Sequence, residues 1–293
     1  MTTPRPRPFG RVLCAMVTPF TADGALDLDA AARLAHGLVA EGCDGLVLNG
    51  TTGESPTTSD AEKTALVRAV RGAVGDGVPL VAGVGSADTR HTVDLARAAE
   101  SAGADGLLVV APYYSRPPQA AVEAHLRAVA EAVGVPLVVY DIPGRTGVRI
   151  APDTLLRLAE HPRVVAVKDC SYDLLGAAKV IGGSDLAYYS GCDELHLPLY
   201  AIGGVGCIST VANAAPRAVR AVLDAFDGGD TAEAARLHRA LLPLTELMMC
   251  AELPGAVTAK ALLAAGPVRA PLQGADEAAT AALRAARDAL VAV

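Results

Sequence analysis

Lysine is scarce in this chain: Lys63, Lys168, Lys179 and Lys260 are the four among 293 residues, and arginine takes nearly all the other basic positions. Tryptophan is absent and aromatics make up 3% of the residues, so a core has to be built from Val, Leu and Ala. The net charge is −7, with no basic concentration beyond the Arg/Pro start, which argues against nucleic acid and against an anionic membrane surface as partners. The six cysteines (Cys14, Cys43, Cys170, Cys192, Cys207 and Cys250) include no C-x-x-C pair, and five fall in or beside apolar runs. That is the pattern of reduced, mostly buried thiols in a cytoplasmic protein, not of a disulfide framework or a zinc site. The histidines are scattered without metal-ligand spacing, so no bound metal is expected. Met1–Arg11 has no apolar segment of the kind a secretory signal needs. No uninterrupted apolar run reaches the ~18 residues of a membrane span.

What the chain does have is one pattern repeated eight times: a short apolar, β-branched run, a polar or Gly-rich loop, then an Ala/Leu-rich helical segment. The strand runs are Val12–Val17, Gly45–Leu48, Pro79–Ala82, Gly106–Val110, Pro136–Tyr140, Val164–Val167, Leu186–Ser190 and Gly204–Ile208. Ser59-Asp60-Ala61-Glu62 reads as a capping box and Asp88-Thr89 as a second helix start, while Gly42, Gly75, Gly103 and Gly134 stand where left-handed C′ residues are wanted. Apolar strands alternating with helices imply a parallel sheet covered by helices, and eight such units imply an α/β fold of the (β/α)8 TIM-barrel type. The rival is a doubly wound open sheet, which carries a G-x-G-x-x-G loop after its first strand. Here that strand runs into Thr18-Pro19-Phe20 instead. Residues 1–225 are assigned to the barrel and 226–293 to a helical C-terminal appendage, with helices near Thr231–Met249, Pro254–Ala264 and Glu277–Val293.

In such barrels chemistry collects at the C-terminal ends of the strands. Val164–Val167 leads there into Lys168. An ammonium in that position is either paired, with Asp169 as the obvious partner, or it sheds its proton easily and becomes a nucleophile for carbonyl carbons. Strand 2 is followed by Asn49-Gly50-Thr51-Thr52-Gly53-Glu54-Ser55, which suits either a plain turn or a cradle for a small carboxylate. Tyr113, Tyr114 and Tyr140 fall at strand ends, where a phenol of lowered pKa shuttles protons or a ring simply packs. Asp141-Ile142-Pro143-Gly144-Arg145-Thr146-Gly147 offers a rigid turn with an arginine that grips a carboxylate or lies free on the surface. Together these parts describe a site for Schiff-base chemistry on a 2-oxo acid.

Gly50–Ser55, Pro112-Tyr113-Tyr114-Ser115-Arg116-Pro117, Tyr140–Gly147 and Val167-Lys168-Asp169 resemble the signatures of the dihydrodipicolinate synthase family of pyruvate-dependent Schiff-base lyases and aldolases. The match runs in order from Val12 to Val211 and more loosely through the C-terminal helices, and it is nearest to synthases of high-GC Gram-positive bacteria. The resemblance implies catalytic roles for Lys168, Tyr140, Thr51 and Tyr114. Lys168 is the imine-forming amine and Tyr140 the general acid/base, in a relay with Thr51 and with Tyr114 of a neighbouring subunit, where Tyr113 packs at the interface. It implies that Thr51 and Thr52 hold the pyruvate carboxylate, that Arg145 holds that of L-aspartate 4-semialdehyde, and that carbonyls near Gly191 and Ile208 line the pocket. It further implies a homotetramer built as a dimer of dimers, with no cofactor beyond the covalent imine on Lys168. A sister pyruvate-dependent aldolase or lyase and a non-catalytic barrel are the alternatives; the second threonine and the Pro-Gly-Arg turn set the chain apart from neuraminate lyases. Three stretches depart from the family pattern. Asp169-Cys170-Ser171-Tyr172 follows the lysine, the segment 251–274 is shortened, and Asp60, Lys63, Ala87 and His91 stand where feedback lysine binds in sensitive members. Lys63 repels a cationic ligand, so weak or absent inhibition by L-lysine is expected.

Overall fold

Eight parallel strands close on themselves in the order in which they occur in the chain. They are β1 (Val12–Ala15), β2 (Gly45–Leu48), β3 (Leu80–Gly83), β4 (Gly106–Val110), β5 (Leu137–Asp141), β6 (Val164–Asp169), β7 (Ala187–Ser190) and β8 (Gly206–Ser209). The computed structural model describes residues 6–249 and 252–290. Cys250 and the last residues of the helix expected to reach Val293 lie outside them. The helices between the strands are α1 (Leu28–Ala40), α2 (Asp60–Val74), α3 (Thr89–Ser101), α4 (Gln119–Ala132), α5 (Pro143–Thr146), α6 (Pro152–Leu158), α7 (Leu174–Gly183) and α8 (His196–Ala201). Then follow α9 (Pro216–Asp227), α10 (Thr231–Met248), α11 (Gly255–Leu263) and α12 (Glu277–Leu290). Among the described residues no helix is long and apolar enough to cross a membrane.

The strands are buried on both faces, which is why they read as continuous apolar runs. Alternation then sorts their side chains into two layers. Leu13, Ala15, Val47, Val81, Leu108, Val138, Ala166, Ala187, Tyr189 and Ile208 fill the barrel, while Val12, Cys14, Leu46, Leu80, Leu107, Val139 and Val167 meet the helices. The few aromatics matter at the base. Phe9 plugs it, and Tyr189 accepts the Phe9 N–H at 3.4 Å while its own hydroxyl donates to the Gly10 carbonyl at 3.0 Å.

One irregularity decides what faces the interior. Leu137 pairs with Val164 but Val138 pairs with Ala166, so Val165 is an extra residue in β6. A one-residue change of register exchanges the two faces of a strand. The bulge at Val165 brings Tyr140 opposite Lys168, both inward, and leaves Asp141 opposite Asp169, both outward. Pairing of β6 with β7 continues through Asp169 and Ser190, so Lys168 lies within the strand and not just beyond it.

The helix ends follow their local chemistry. Ser59 and Glu62 form the reciprocal capping box of α2, and Asp88 caps α3. Gly42, Gly75 and Gly103 take positive φ. Gly134 does not: α4 ends on an extended Val133, and the Gly134 N–H donates to Glu100 at 2.8 Å, which gives this glycine a packing role in place of a left-handed cap.

Candidate active site

The choice left open for Lys168 is decided by where Asp169 points. Its carboxylate faces the outer layer, where it accepts the Ser171 N–H at 2.6 Å and bonds the Tyr188 hydroxyl. Lys168 is 5% exposed, and no carboxylate among the described residues forms an ion pair with it. Its Nζ lies 4.4 Å from the centre of the Tyr140 ring. Burial pushes its pKa below the ordinary lysine value, against the opposing influence of nearby Cys170 and Asp193. Gly191 makes the room: a Cβ there would stand 2.7 Å from Cε and 2.9 Å from Cγ of Lys168. That is a steric duty for Gly191; Gly191, Ile208, Thr52 and Lys168 itself are buried in or beside the barrel interior and are not among the residues lining the cavity.

Tyr140 is 4% exposed; its hydroxyl stands 4.0 Å from the Cys170 sulfur and within reach of Thr51, which opposes the rise of its pKa. The expectation of a lowered phenol pKa is corrected. Burial pushes it well above the ordinary value, so the resting residue holds its proton and is poised as an acid. Thr51 lines the cavity. Thr52 is buried and its hydroxyl pairs with that of Thr210 at 3.1 Å, which turns one cradle residue toward β8. Thr210 is in turn held by Asp193, which accepts its N–H at 3.1 Å and also bonds Ser209 and His196. Asp193 and His196 form a buried ion pair: against burial, the imidazole holds the carboxyl down, and Cys207 together with the carboxylate holds the imidazole up.

Arg145 sits on the single turn α5, which Pro143 opens and Gly147, with φ 70°, closes. The guanidinium lines the cavity without an ion pair among the described residues, as a grip for an incoming anion requires. The cavity is about 450 Å³ and brings together Thr51, Tyr113, Tyr140 and Arg145. It extends to Asp60, Lys63 and His91, whereas Ala87 is exposed and Ser86 lines the wall in its place. Tyr114 stays outside: it is 94% exposed, at φ 73°, and one chain does not bring it to Tyr140. Tyr113, expected at an interface, lines the cavity and keeps 41% of its surface exposed.

The sequence reading missed the support beneath the cradle. Glu54, in a left-handed conformation, pairs with Lys260 of α11, and both are buried. Lys260 also donates to the Pro267 carbonyl at 2.8 Å and lies 3.8 Å from the centre of the Phe20 ring. Arg269 covers the same ring at 4.0 Å, donates its N–H to Glu54 and clamps Glu62 and the Gly24 carbonyl. Lys260 and Arg269 thus anchor the loop after β2. The only signal available was a second lysine in an otherwise apolar helical run.

The family model described as the dihydrodipicolinate synthetase family matches residues 8–289. The 4-hydroxy-tetrahydrodipicolinate synthase 1 of Streptomyces coelicolor is 70% identical over 290 residues, covering 97% of this chain and 95% of the relative. The 4-hydroxy-tetrahydrodipicolinate synthase of Acidothermus cellulolyticus is 56% identical, covering 97% and 93%. A lysine-bound crystal structure of the synthase from Cyanidioschyzon merolae superimposes with a TM-score of 0.94 at 36% identity, covering 98% of this chain and all of that one. With a closed barrel, an inward unpaired lysine under a tyrosine and matches across nearly its whole length, the chain belongs to the dihydrodipicolinate synthetase family.

Proposed function

We propose that this chain condenses pyruvate with L-aspartate 4-semialdehyde to 4-hydroxy-tetrahydrodipicolinate, the branch-point heterocycle of lysine and diaminopimelate synthesis, as a class I Schiff-base lyase. The observation that carries the reading is the buried, unpaired Lys168 against the Tyr140 ring. Its depressed pKa supplies neutral amine, which attacks the pyruvate carbonyl. Tyr140 gives its proton to the departing oxygen as water leaves, and the imine then loses a methyl proton to become an enamine. Thr51 and Thr52 hold the pyruvate carboxylate, and Arg145 receives the carboxylate of the aldehyde. The enamine carbon attacks the aldehyde, and the substrate amine displaces Lys168 as the ring closes. No cofactor enters these steps.

Tyr140 and the adjacent Thr51 begin the relay, and Tyr114 completes it from a neighbouring subunit. The strained, exposed placement of Tyr114 supports this, because a left-handed tyrosine projecting into water has no purpose within one chain. Exposed Leu175 and Ile202 offer further apolar contact for a homotetramer. Inhibition by L-lysine is weak: Lys63 donates to the Thr58 carbonyl at that end of the cavity, and Asp60 is already engaged by His91 at 2.8 Å. Five buried, free cysteines among the described residues suit the cytoplasm.

An assay with pyruvate and aspartate semialdehyde, read as formation of the ring product, tests the reading. Product formation is expected. Pyruvate imine without product, or turnover of another aldehyde in its place, would assign the chain to a sister aldolase.

A further inference from the structure

The described cysteines fall into two groups. Cys14, Cys43 and Cys207 lie between the barrel and its helices, at most 3% exposed, and burial pushes the Cys14 thiol well up. Cys170 and Cys192 follow the ends of β6 and β7, belong to the inner layer and retain 7% and 6% exposure. Because Asp169 pairs with Ser190, the two thiols rise from adjacent strand ends, near enough for the Cys192 thiol to act on Cys170. Gly191 lies between them and Lys168: a Cβ on it would stand 2.5 Å from the Cys170 sulfur and 2.7 Å from Lys168 Cε. One glycine therefore separates the sulfur from the stem of the imine-forming amine.

The pair has the chemical asymmetry of an attacking and a resolving thiol. Cys170 is drawn down against burial, first by the Cys192 thiol and then by Lys168 in its protonated form and by the Tyr140 hydroxyl. Cys192 is the proton holder and is pushed far up. Above them Tyr172, 64% exposed with φ 59°, bonds Cys192 and donates its hydroxyl to Glu194 at 2.5 Å, so the pair lies one side chain below solvent.

We propose that Cys170 and Cys192 are an oxidisable thiol pair that hydrogen peroxide closes to a disulfide, and that closure blocks imine formation at Lys168. The Cys170 thiolate attacks one peroxide oxygen. The O–O bond breaks, and the leaving hydroxide takes a proton and departs as water, which leaves a sulfenic acid. The Cys192 sulfur then displaces the sulfenic oxygen, which leaves with the Cys192 proton as a second water. The two sulfurs supply the two electrons that reduce the peroxide. Drawing them to the bonded separation of about 2 Å pulls the ends of β6 and β7 together across Gly191, which removes the space that Lys168 needs. The gate rests on Lys168 as the imine-forming residue, whereas the disulfide is read independently of it.

The test treats the intact protein with hydrogen peroxide, alkylates it, and cleaves before aspartate, which places Cys170 in 169–172 and Cys192 in 185–192, apart from Cys207. Pyruvate trapping by borohydride is followed in parallel. The expected result is a linked 169–172/185–192 peptide, lighter than its parts by about two mass units, with loss of trapping and recovery of both after dithiothreitol. Cys192→Ser, with Cys192→Ala as a second variant, should form no linked peptide and should trap pyruvate through the same exposure. Absence of the linked peptide overturns the pair. A linked peptide with undiminished trapping, or equal loss of trapping in the Cys192 variants, overturns the gate. Failure of the untreated protein to trap pyruvate would strike the Lys168 reading itself and the gate with it.

Discussion

Lys168 and Lys260 are both buried lysines beside an aromatic ring, and they have opposite tasks. Lys260, 2% exposed, has a carboxylate, a carbonyl and a phenyl face around its ammonium. Lys168, 5% exposed, has a phenol ring and no carboxylate partner. Burial pushes both pKa values down, but Glu54 opposes the shift at Lys260. A cation left without a partner in a low-dielectric site lowers its energy by losing its proton, and a neutral amine is a nucleophile. A paired one holds its proton and braces structure. Partnering, not burial, separates the reactive lysine from the structural one.

The largest expected effect comes from breaking the reactive member. Lys168→Met should abolish borohydride-trappable pyruvate while leaving thermal stability unchanged or raised, because an unpaired buried amine is replaced by an apolar chain. Tyr140→Phe should keep the fold and slow ring formation by ~10²–10⁴, the usual worth of a general acid/base, as read in steady-state kinetics. Lys260→Met should do the reverse of Lys168→Met. Stranding Glu54 should cost about 3–5 kcal/mol of stability in denaturant unfolding, and the pairing Glu54→Gln with Lys260→Met should recover part of it.

The smallest effect, taken per pH unit, sharpens the contrast through a carboxyl group. Asp141 is buried on the outer face of β5, opposite Asp169, and its pKa is pushed up to about 7, first by burial. The folded state therefore binds a proton that the unfolded chain has lost. The stability this contributes is full below about pH 4 and is lost as pH rises through about 7, on the order of 1 kcal/mol per unit in mid-window. Asp141→Asn should flatten that slope in unfolding measured from pH 4 to 8.

The barrel was legible because strands buried on both faces read as apolar runs and helix starts carry their caps, as Ser59 and Asp88 do. The chemistry at the strand ends was legible because Lys168, Tyr140, Thr51 and Arg145 are residue types that interrupt those runs where a fold of this kind places a site. The bulge at Val165 was not, since an extra β-branched residue in an apolar run leaves no mark until its partner strand is known. Glu54–Lys260 was hidden for a similar reason: the two residues meet only when the C-terminal helices dock. The direction of the Tyr140 shift depends on burial from all sides, and no local spacing encodes that.

The central claim is that, of two buried lysines, only the unpaired one meets pyruvate. Incubation with pyruvate and borohydride, followed by peptide mapping of all four lysines, tests it most directly. A permanent reduced-pyruvate adduct on Lys168, with Lys260 unmodified, is the result expected. An adduct on Lys260, or none on Lys168, would contradict it.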